Sequence, residues 1–174
     1  LEQRTKLNLG CGLKQMPDHV NLDLVASVKP DVVHDLNRFP YPFPDNRFDE
    51  IRAMDVIEHV ADLPATMREI WRIGRPGATV ELTTPHFSCV NSFTDPTHTR
   101  HLSSSSMDYF TAGHLFSFYG SEGFDIVQKR IFFQPTLLNK LVSRLAARWP
   151  LEYERRWAWI FPAWFLSFKL SIRK

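Results

Sequence analysis

Cysteine is scarce in this 174-residue chain, which has only Cys11 and Cys89. Two thiols cannot build a disulfide framework, so a reducing compartment, the cytoplasm, is expected. Excess charge is also lacking: the formal net charge is +2, and so balanced a chain does not call for a nucleic acid as partner. No apolar run is long enough to cross a bilayer, since the most apolar tract, residues 157–170, is short and contains Pro162. Residues 1–6 are charged and lead into a strand, so no signal peptide is expected. Internal repeats and Gly/Ser-rich linkers are absent, which predicts a single domain over residues 1–174. With 44% hydrophobic and 23% charged residues the chain can bury a sizeable core, and disorder and collagen are excluded. Plentiful instead are proline, 12 residues, and aromatics, 13%.

Periodicity places the elements. Lys6-Leu-Asn-Leu9 is a strand that breaks at the tight turn Gly10-Cys-Gly12. Val20-Asn-Leu-Asp-Leu24 alternates with period two, Asp31-Val-Val-His34 is a third strand, and Glu50-Ile-Arg-Ala-Met54 a fourth. A helix is predicted over 62–73, with Asp62 as N-cap and Leu63, Met67, Ile70 and Trp71 on one face. Ala78 to Thr84 is rich in β-formers and reads as a fifth strand. Ser105 or Ser106 could cap a helix through Met107, Phe110, Leu115 and Phe118, stopped at Gly120 or Gly123. Phe124 to Phe133 is a sixth strand, and an amphipathic helix is expected from Thr136 to Trp149. A clean alternation of Leu166, Phe168, Leu170 and Ile172 with polar residues makes a seventh strand, half exposed and antiparallel. Strands alternating with helices and turns predict an α/β fold with a mostly parallel sheet.

A strand, a glycine turn and an acid ending the next strand form the logic of a nucleotide-type cofactor site. Gly10 and Gly12 allow a sharp turn and close approach to a ligand, and Asp23 can accept from both hydroxyls of a ribose. Eleven positions separate Gly12 from Asp23, whereas a dinucleotide fold expects about twenty. Gln15 stands where a third glycine would be, so the helix that cradles a pyrophosphate is short or absent. A cofactor with ribose hydroxyls and no phosphates fits better than NAD or FAD.

Leu7-Asn-Leu-Gly-Cys-Gly12, Asn21-Leu-Asp23, Asp35-Leu36, Phe43-Pro-Asp-Asn-Arg-Phe-Asp49, Asp55-Val-Ile-Glu-His59 and Arg72-Ile-Gly-Arg-Pro-Gly77 follow one another in register. In this the chain resembles the class I S-adenosylmethionine-dependent methyltransferases of the small type 11 kind, over roughly residues 6–85. The resemblance implies a Rossmann-like seven-stranded sheet of order 3-2-1-4-5-7-6 with an antiparallel last strand. It implies S-adenosyl-L-methionine as cofactor and S-adenosyl-L-homocysteine as product. Gly10, Cys11 and Gly12 would approach the methionine part, Asp23 the ribose, and Leu24 the adenine. Asp35 and the backbone N–H of Leu36 would meet the adenine edge, and Met54 and Asp55 the methionine and sulfonium. Asn8 would touch the cofactor's ammonium where many relatives carry an acid, a weaker contact. His59 would pack beside the cofactor, although the Glu58-His59 pair could also act in acid–base chemistry.

Methyl transfer needs alignment and, for a hydroxyl acceptor, a general base. The loop after the fifth strand holds Pro85-His86-Phe87 and Asp95-Pro-Thr-His98-Thr-Arg100-His101, three of the seven histidines within sixteen residues. His98 is the candidate base and His86 the second, since imidazole titrates near neutral pH. His86, Asp95, His98, Arg100 and His101 are candidate acceptor contacts, and a purely structural loop is the competing reading. Their spacing matches no helix-borne zinc motif, so no metal is expected. Residues 134–163 form an aromatic and basic insertion between the last two strands. Leu138, Leu141, Leu145 and Trp149 share a face, flanked by Lys140, Arg144 and Arg148. That composition suits a peripheral membrane contact, the protein core or a homodimer equally. The expected function is methyl transfer to a small-molecule, glycan or lipid-linked acceptor. The alternative is a non-catalytic S-adenosylmethionine-binding module that docks a partner or membrane.

Overall fold

The computed structural model describes residues 4–112 and 123–174. Seven strands form one sheet: β1 Lys6–Leu9, β2 Val20–Asp23, β3 Val32–Val33, β4 Phe48–Met54, β5 Gly74–Pro85, β6 Gly123–Phe132 and β7 Phe165–Arg173. Their order is β3-β2-β1-β4-β5-β7-β6. The first five strands pair in parallel, while β7 runs antiparallel to both β5 and β6. This is the order, and the antiparallel last strand, that the resemblance implies.

The alternation in β7 fixes which way it faces: Leu166, Phe168, Leu170 and Ile172 are all buried. They join Leu7, Leu9, Leu22, Ile51, Ala53, Val80 and Leu82 in one core. Helix α1, Leu63–Ile73, covers that core with Met67, Ile70 and Ile73. Its N-terminus is capped by Asp62, whose carboxylate accepts from the N–H of Ala65 at 2.9 Å. Gly74 follows the helix and begins β5 in a tight place, where a Cβ would lie 2.2 Å from Ile172 Cδ1 and 3.1 Å from the Ile70 carbonyl oxygen. Strand β5 therefore starts four residues before the β-forming run at Ala78, across a bulge in its pairing with β4.

Between β1 and β2 the chain forms turns and no helix, as the short Gly12-to-Asp23 spacing predicts. The helix expected from Ser105 or Ser106 is a single 3-10 turn, Ser106–Phe110, with no side-chain cap. Its buried Met107 and Phe110 keep their expected inward places. Leu115, Phe118 and Gly120 lie outside the described residues. The polar stretch after Pro85 holds a short helix, α2 Asn91–Thr94, that its weak periodicity did not reveal.

After β6 come α3, Leu137–Arg148, and α4, Pro150–Arg156. Thr136 caps α3 by accepting from the N–H of Asn139 at 3.1 Å. Helix α4 was not expected, yet its start signal is present: Pro150 sits in the first turn, where its missing N–H costs nothing. Val142 and Ala146 of α3, Tyr153 of α4, Ala158 and Ala163 form a second, smaller core. The face of α3 carrying Leu138, Leu141, Leu145 and Trp149 does not enter it; these side chains are 49–57% exposed.

Candidate functional site

The strand order changes direction between β1 and β4, and the crevice above their C-terminal ends is where such sheets take ligands. The turn after β1 has Gly10 at φ +62° and Gly12 at φ +48°. Gly10 has no alternative, because a Cβ would lie 2.5 Å from Val56 Cγ2. Asp55, just after β4, is also left-handed at φ +59°. Its N–H donates to the Thr83 carbonyl, and Thr83 Oγ1 donates to its carboxylate at 2.9 Å. Asp23 ends β2 and accepts from the N–H of Gly12 at 2.7 Å and of Val25 at 2.9 Å. Those two bonds tie the glycine turn to the acid and still leave lone pairs free on both oxygens. Cys11 is buried, its N–H donating to the Leu22 carbonyl. Leu24 is exposed beyond Asp23, Asp35 and Leu36 follow β3, and Met54 is half-buried beside Asp55. Gly10, Cys11, Gly12, Asp23, Leu24, Asp35, Leu36, Met54 and Asp55 thus share one edge of the sheet.

Asn8 has a structural part in the turn as well. It is buried, and its amide donates to the Lys14 carbonyl at 3.0 Å and to Asn21 Oδ1 at 3.1 Å. Both donor hydrogens are used within the β1–β2 turn, so Asn8 shapes the loop, and the atom these bonds leave for a donor such as an ammonium is its Oδ1.

A second cleft of about 600 Å³ adjoins Asp55, lined among others by Glu58, His59, Pro85, Thr94, Asp95 and His98. His98 hydrogen-bonds through Nδ1 to the Ser92 carbonyl at 3.2 Å. A carbonyl only accepts, so Nδ1 carries the proton and Nε2 the lone pair. The rings of His98 and His59 meet edge to face with centroids 4.6 Å apart. His59 Nδ1 lies 2.9 Å from Thr97 Oγ1, which itself donates to Asp95 at 2.6 Å. The Thr97 oxygen therefore accepts from His59, which also leaves Nε2 as the free atom of that ring.

Glu58 is 1% exposed, and neither carboxylate oxygen has a hydrogen-bond partner among the described residues. The hydroxyl of Thr84 is near but makes no bond of normal geometry with it. Burial, reinforced by the negative charge of Asp55, pushes the Glu58 carboxyl up to about 7. The sequence showed the Glu58-His59 pair without placing it in the acceptor site. Asn91, Thr94 and Phe165 carried no signal of their own, being brought in by α2 and by the start of β7.

The remaining histidine-loop residues are not all brought together. His86, the second candidate base, is fully buried: Nδ1 accepts from the N–H of Ser88 at 3.1 Å, and Nε2 faces Glu154 Oε1 at 3.3 Å. Enclosed in this way it meets neither acceptor nor solvent, and it joins α4 to the end of β5. Arg100 is engaged by the backbone carbonyls of Val60 and Ala61. His101 bonds to Ser92 Oγ at 2.8 Å and stacks on Phe93 at the surface. Only His98 and Asp95 of the expected acceptor set line the cleft. His86, Asp95, His98 and His101 do not converge as a metal set, whereas Glu58, His59 and His98 do.

Comparison with known proteins agrees with the fold. An S-adenosylmethionine-dependent methyltransferase from Mesorhizobium loti superposes with a TM-score of 0.60 at 14% identity, covering 95% of this chain and 89% of its own. One from Archaeoglobus fulgidus gives 0.64 at 16%, covering 95% and 85%. A chain of the complex between the Haloferax volcanii Trm112 methyltransferase activator and a methyltransferase gives 0.61 at 17%, covering 99% and 84%. At these identities the likeness is one of fold. No curated protein sequence matches significantly. A family described as a methyltransferase domain matches residues 7–163, from the start of β1 through the insertion. By that match, and by the strand order it shares with such enzymes, the chain belongs to the methyltransferase domain family.

Proposed function

We propose that the crevice over β1, β2 and β4 binds S-adenosylmethionine and that its methyl group passes to an acceptor seated in the cleft beside Asp55. Asp23, held against the glycine turn by the Gly12 N–H, carries the reading: its free lone pairs suit the two ribose hydroxyls, and no helix is present to hold phosphates. Asp35 and Leu36 take the adenine edge, Leu24 its face, and Met54 and Asp55 the methionine end. His59 lies between this crevice and the acceptor, and His98 presents Nε2 to the acceptor. Transfer is an in-line displacement in which the acceptor atom, the methyl carbon and the sulfur align. Calorimetry with S-adenosylhomocysteine and with NAD tests the cofactor: micromolar binding of NAD and none of S-adenosylhomocysteine overturns it. S-adenosylhomocysteine release with an acceptor panel separates an enzyme from a cofactor-binding module.

The acceptor reading that the surface favours is a lipid-linked one. Leu138, Leu141, Val142, Leu145, Trp149, Tyr153 and Trp157 help line an apolar trough of about 420 Å³. Leu138 and Phe161 also line a neighbouring groove that reaches Val90 and Phe93 on the loop bearing α2. Asn91 and Thr94, their chain neighbours, line the acceptor cleft. A head group at His98 would thus have an apolar path for its tail. Lys140, Arg144 and Arg148 suit an anionic membrane surface beside that trough. No helix among the described residues is long and apolar enough to cross a membrane. We place the chain in the cytoplasm, peripheral to that surface, with both cysteines reduced. Vesicle co-sedimentation tests this, and a dimer seen instead by ultracentrifugation would assign the trough to a second copy.

A further inference from the structure

Glu58, His59 and His98 each offer one ligand atom within 4.8 Å of the others, where the acceptor cleft meets the end of β4. We propose that these three residues bind a divalent first-row cation of the zinc type. The inference rests on the cleft being the acceptor site only for the ion's role, not for its binding.

Two observations point to an ion independently of the clustering. The first is Glu58: a carboxylate so thoroughly buried normally has donors around it, yet both oxygens lack partners among the described residues and one of them joins the cluster. Either a proton or a cation must balance such a group. The second is the pair of imidazoles. Each has Nδ1 directed at an oxygen, His98 at the Ser92 carbonyl and His59 at Thr97 Oγ1, which Asp95 orients in turn. This is how metal-binding histidines are held, with one nitrogen donating to an oxygen so that the other keeps its lone pair for the metal. Asp55 and Asp95 line the same cleft and add negative charge around it.

The donor set selects the ion. Two imidazole nitrogens and one carboxylate suit zinc and its first-row neighbours, whereas magnesium and calcium prefer oxygen ligands throughout. Ligands bonded at about 2.0 Å in a tetrahedron stand about 3.3 Å apart, so closing the site asks only for small side-chain adjustments. Three protein ligands leave a fourth position open toward the cleft, as in catalytic rather than structural sites. With the ion bound, the lone pair of His98 Nε2 is taken by the metal and no longer faces the acceptor directly; a hydroxyl acceptor in the open position would lose its proton to solvent through the cleft, as metal-bound water does near pH 7. The resulting oxyanion attacks the methyl carbon: a C–O bond forms, the C–S bond breaks, and neutral S-adenosylhomocysteine leaves with the electron pair.

The experiment titrates tag-free, chelator-treated protein with Zn2+ by calorimetry and records the Co2+ absorption spectrum. One ion per chain is expected, with a four- or five-coordinate Co2+ spectrum lacking thiolate charge-transfer bands. Glu58→Gln and His98→Ala should each weaken Zn2+ binding by about 100-fold or more, beyond the 10–100-fold loss from removing a supporting partner. His101→Ala, outside the trio, should not. Absence of Zn2+ binding, binding that survives both ligand variants, or Mg2+ binding more tightly than Zn2+ overturns the site. Should Glu58→Gln fail to fold, the wild-type Co2+ spectrum decides. S-adenosylhomocysteine is titrated into the same samples. If S-adenosylhomocysteine binds while Zn2+ fails to bind at all, the cation site alone is overturned; if Zn2+ binds while S-adenosylhomocysteine fails to bind at all, the cofactor reading alone is overturned.

Discussion

The side-chain amide of Asn8 donates to the side-chain oxygen of Asn21 at 3.1 Å, directly across the β1–β2 pair. Asn21 is also the hub of the turn between them. Its Oδ1 accepts from the N–H of Met16, its amide donates to the Met16 carbonyl, and its own N–H donates to Asp31. Where a crossover helix would brace the cofactor loop through its own backbone bonds, a buried polar network does so here.

Asn21→Ala should therefore destabilise the fold by about 1–3 kcal/mol, because the Met16 N–H and the Asn8 amide lose an acceptor in a buried place. Asn8→Asp should also destabilise, since a carboxylate would face the Lys14 carbonyl and Asn21 Oδ1, both acceptors. Urea midpoints measure both effects, and a midpoint for Asn8→Asp at or above wild type would contradict the second.

Asp23→Ala should weaken S-adenosylhomocysteine binding by about 1.5–3 kcal/mol, the loss of charge-assisted hydrogen bonds to a ribose. Asp35→Ala should cost less, because it meets one amino group. Calorimetry on variants with wild-type melting curves checks both values, and unchanged affinity in Asp23→Ala removes the ribose contact.

His98→Ala should lower turnover by roughly 10²–10⁴ while leaving cofactor affinity unchanged. Steady-state rates beside S-adenosylhomocysteine titrations separate the two quantities. A fully active variant would return the loop to a structural part.

Glu154 supplies a pH dependence. Its burial alone would raise the carboxyl, but hydrogen bonds from His86 and from the Ser104 N–H outweigh that and hold it below the usual glutamate range. A lowered folded value means stability that is full above the ordinary glutamate pKa of about 4.3 and lost as pH falls through the folded value. Wild type should thus lose more stability than Glu154→Gln between neutral pH and the acid side of that range. Parallel slopes for the two proteins in urea melts would show that Glu154 is not held ionised.

Charge reversal of Lys140, Arg144 and Arg148 should release the protein from anionic vesicles without changing cofactor affinity. Wild-type binding should weaken as salt rises, because the attraction is screened over about 10 Å at 0.1 M. A protein that ignores such vesicles at low salt has its apolar trough covered by another partner.

Much of this was legible in the residues, because period-two alternation and the glycine–acid pairs act locally. β7 was readable from Leu166 to Ile172, and the turn after β1 and the acid ending β2 from Gly10, Gly12 and Asp23. What was not legible depends on distant chain. His86 looked like a base until Ser88 and Glu154, the latter 68 residues away, were found to enclose it. Glu58 could not be joined to His98 from sequence, since only the return of the loop to the end of β4, through the Thr99 N–H on the Glu58 carbonyl, brings them together. Helix α3 was recognisable, yet Ala146 is fully buried and Leu141 half exposed, because Val142 and Ala146 are the residues that pack with Tyr153, Ala158 and Ala163.

The bond between His86 and Glu154 has a mechanical meaning. It is buried, and the other ring nitrogen of His86 is held by Ser88, whose oxygen accepts from the N–H of Ala163. The arm between β6 and β7 is thus riveted to the tip of β5 at two points and behaves as a bracket rather than a door. If the cleft beside Asp55 takes the acceptor, such a bracket sets the spacing between that cleft and the arm's apolar trough and so acts as a ruler for the length of the acceptor.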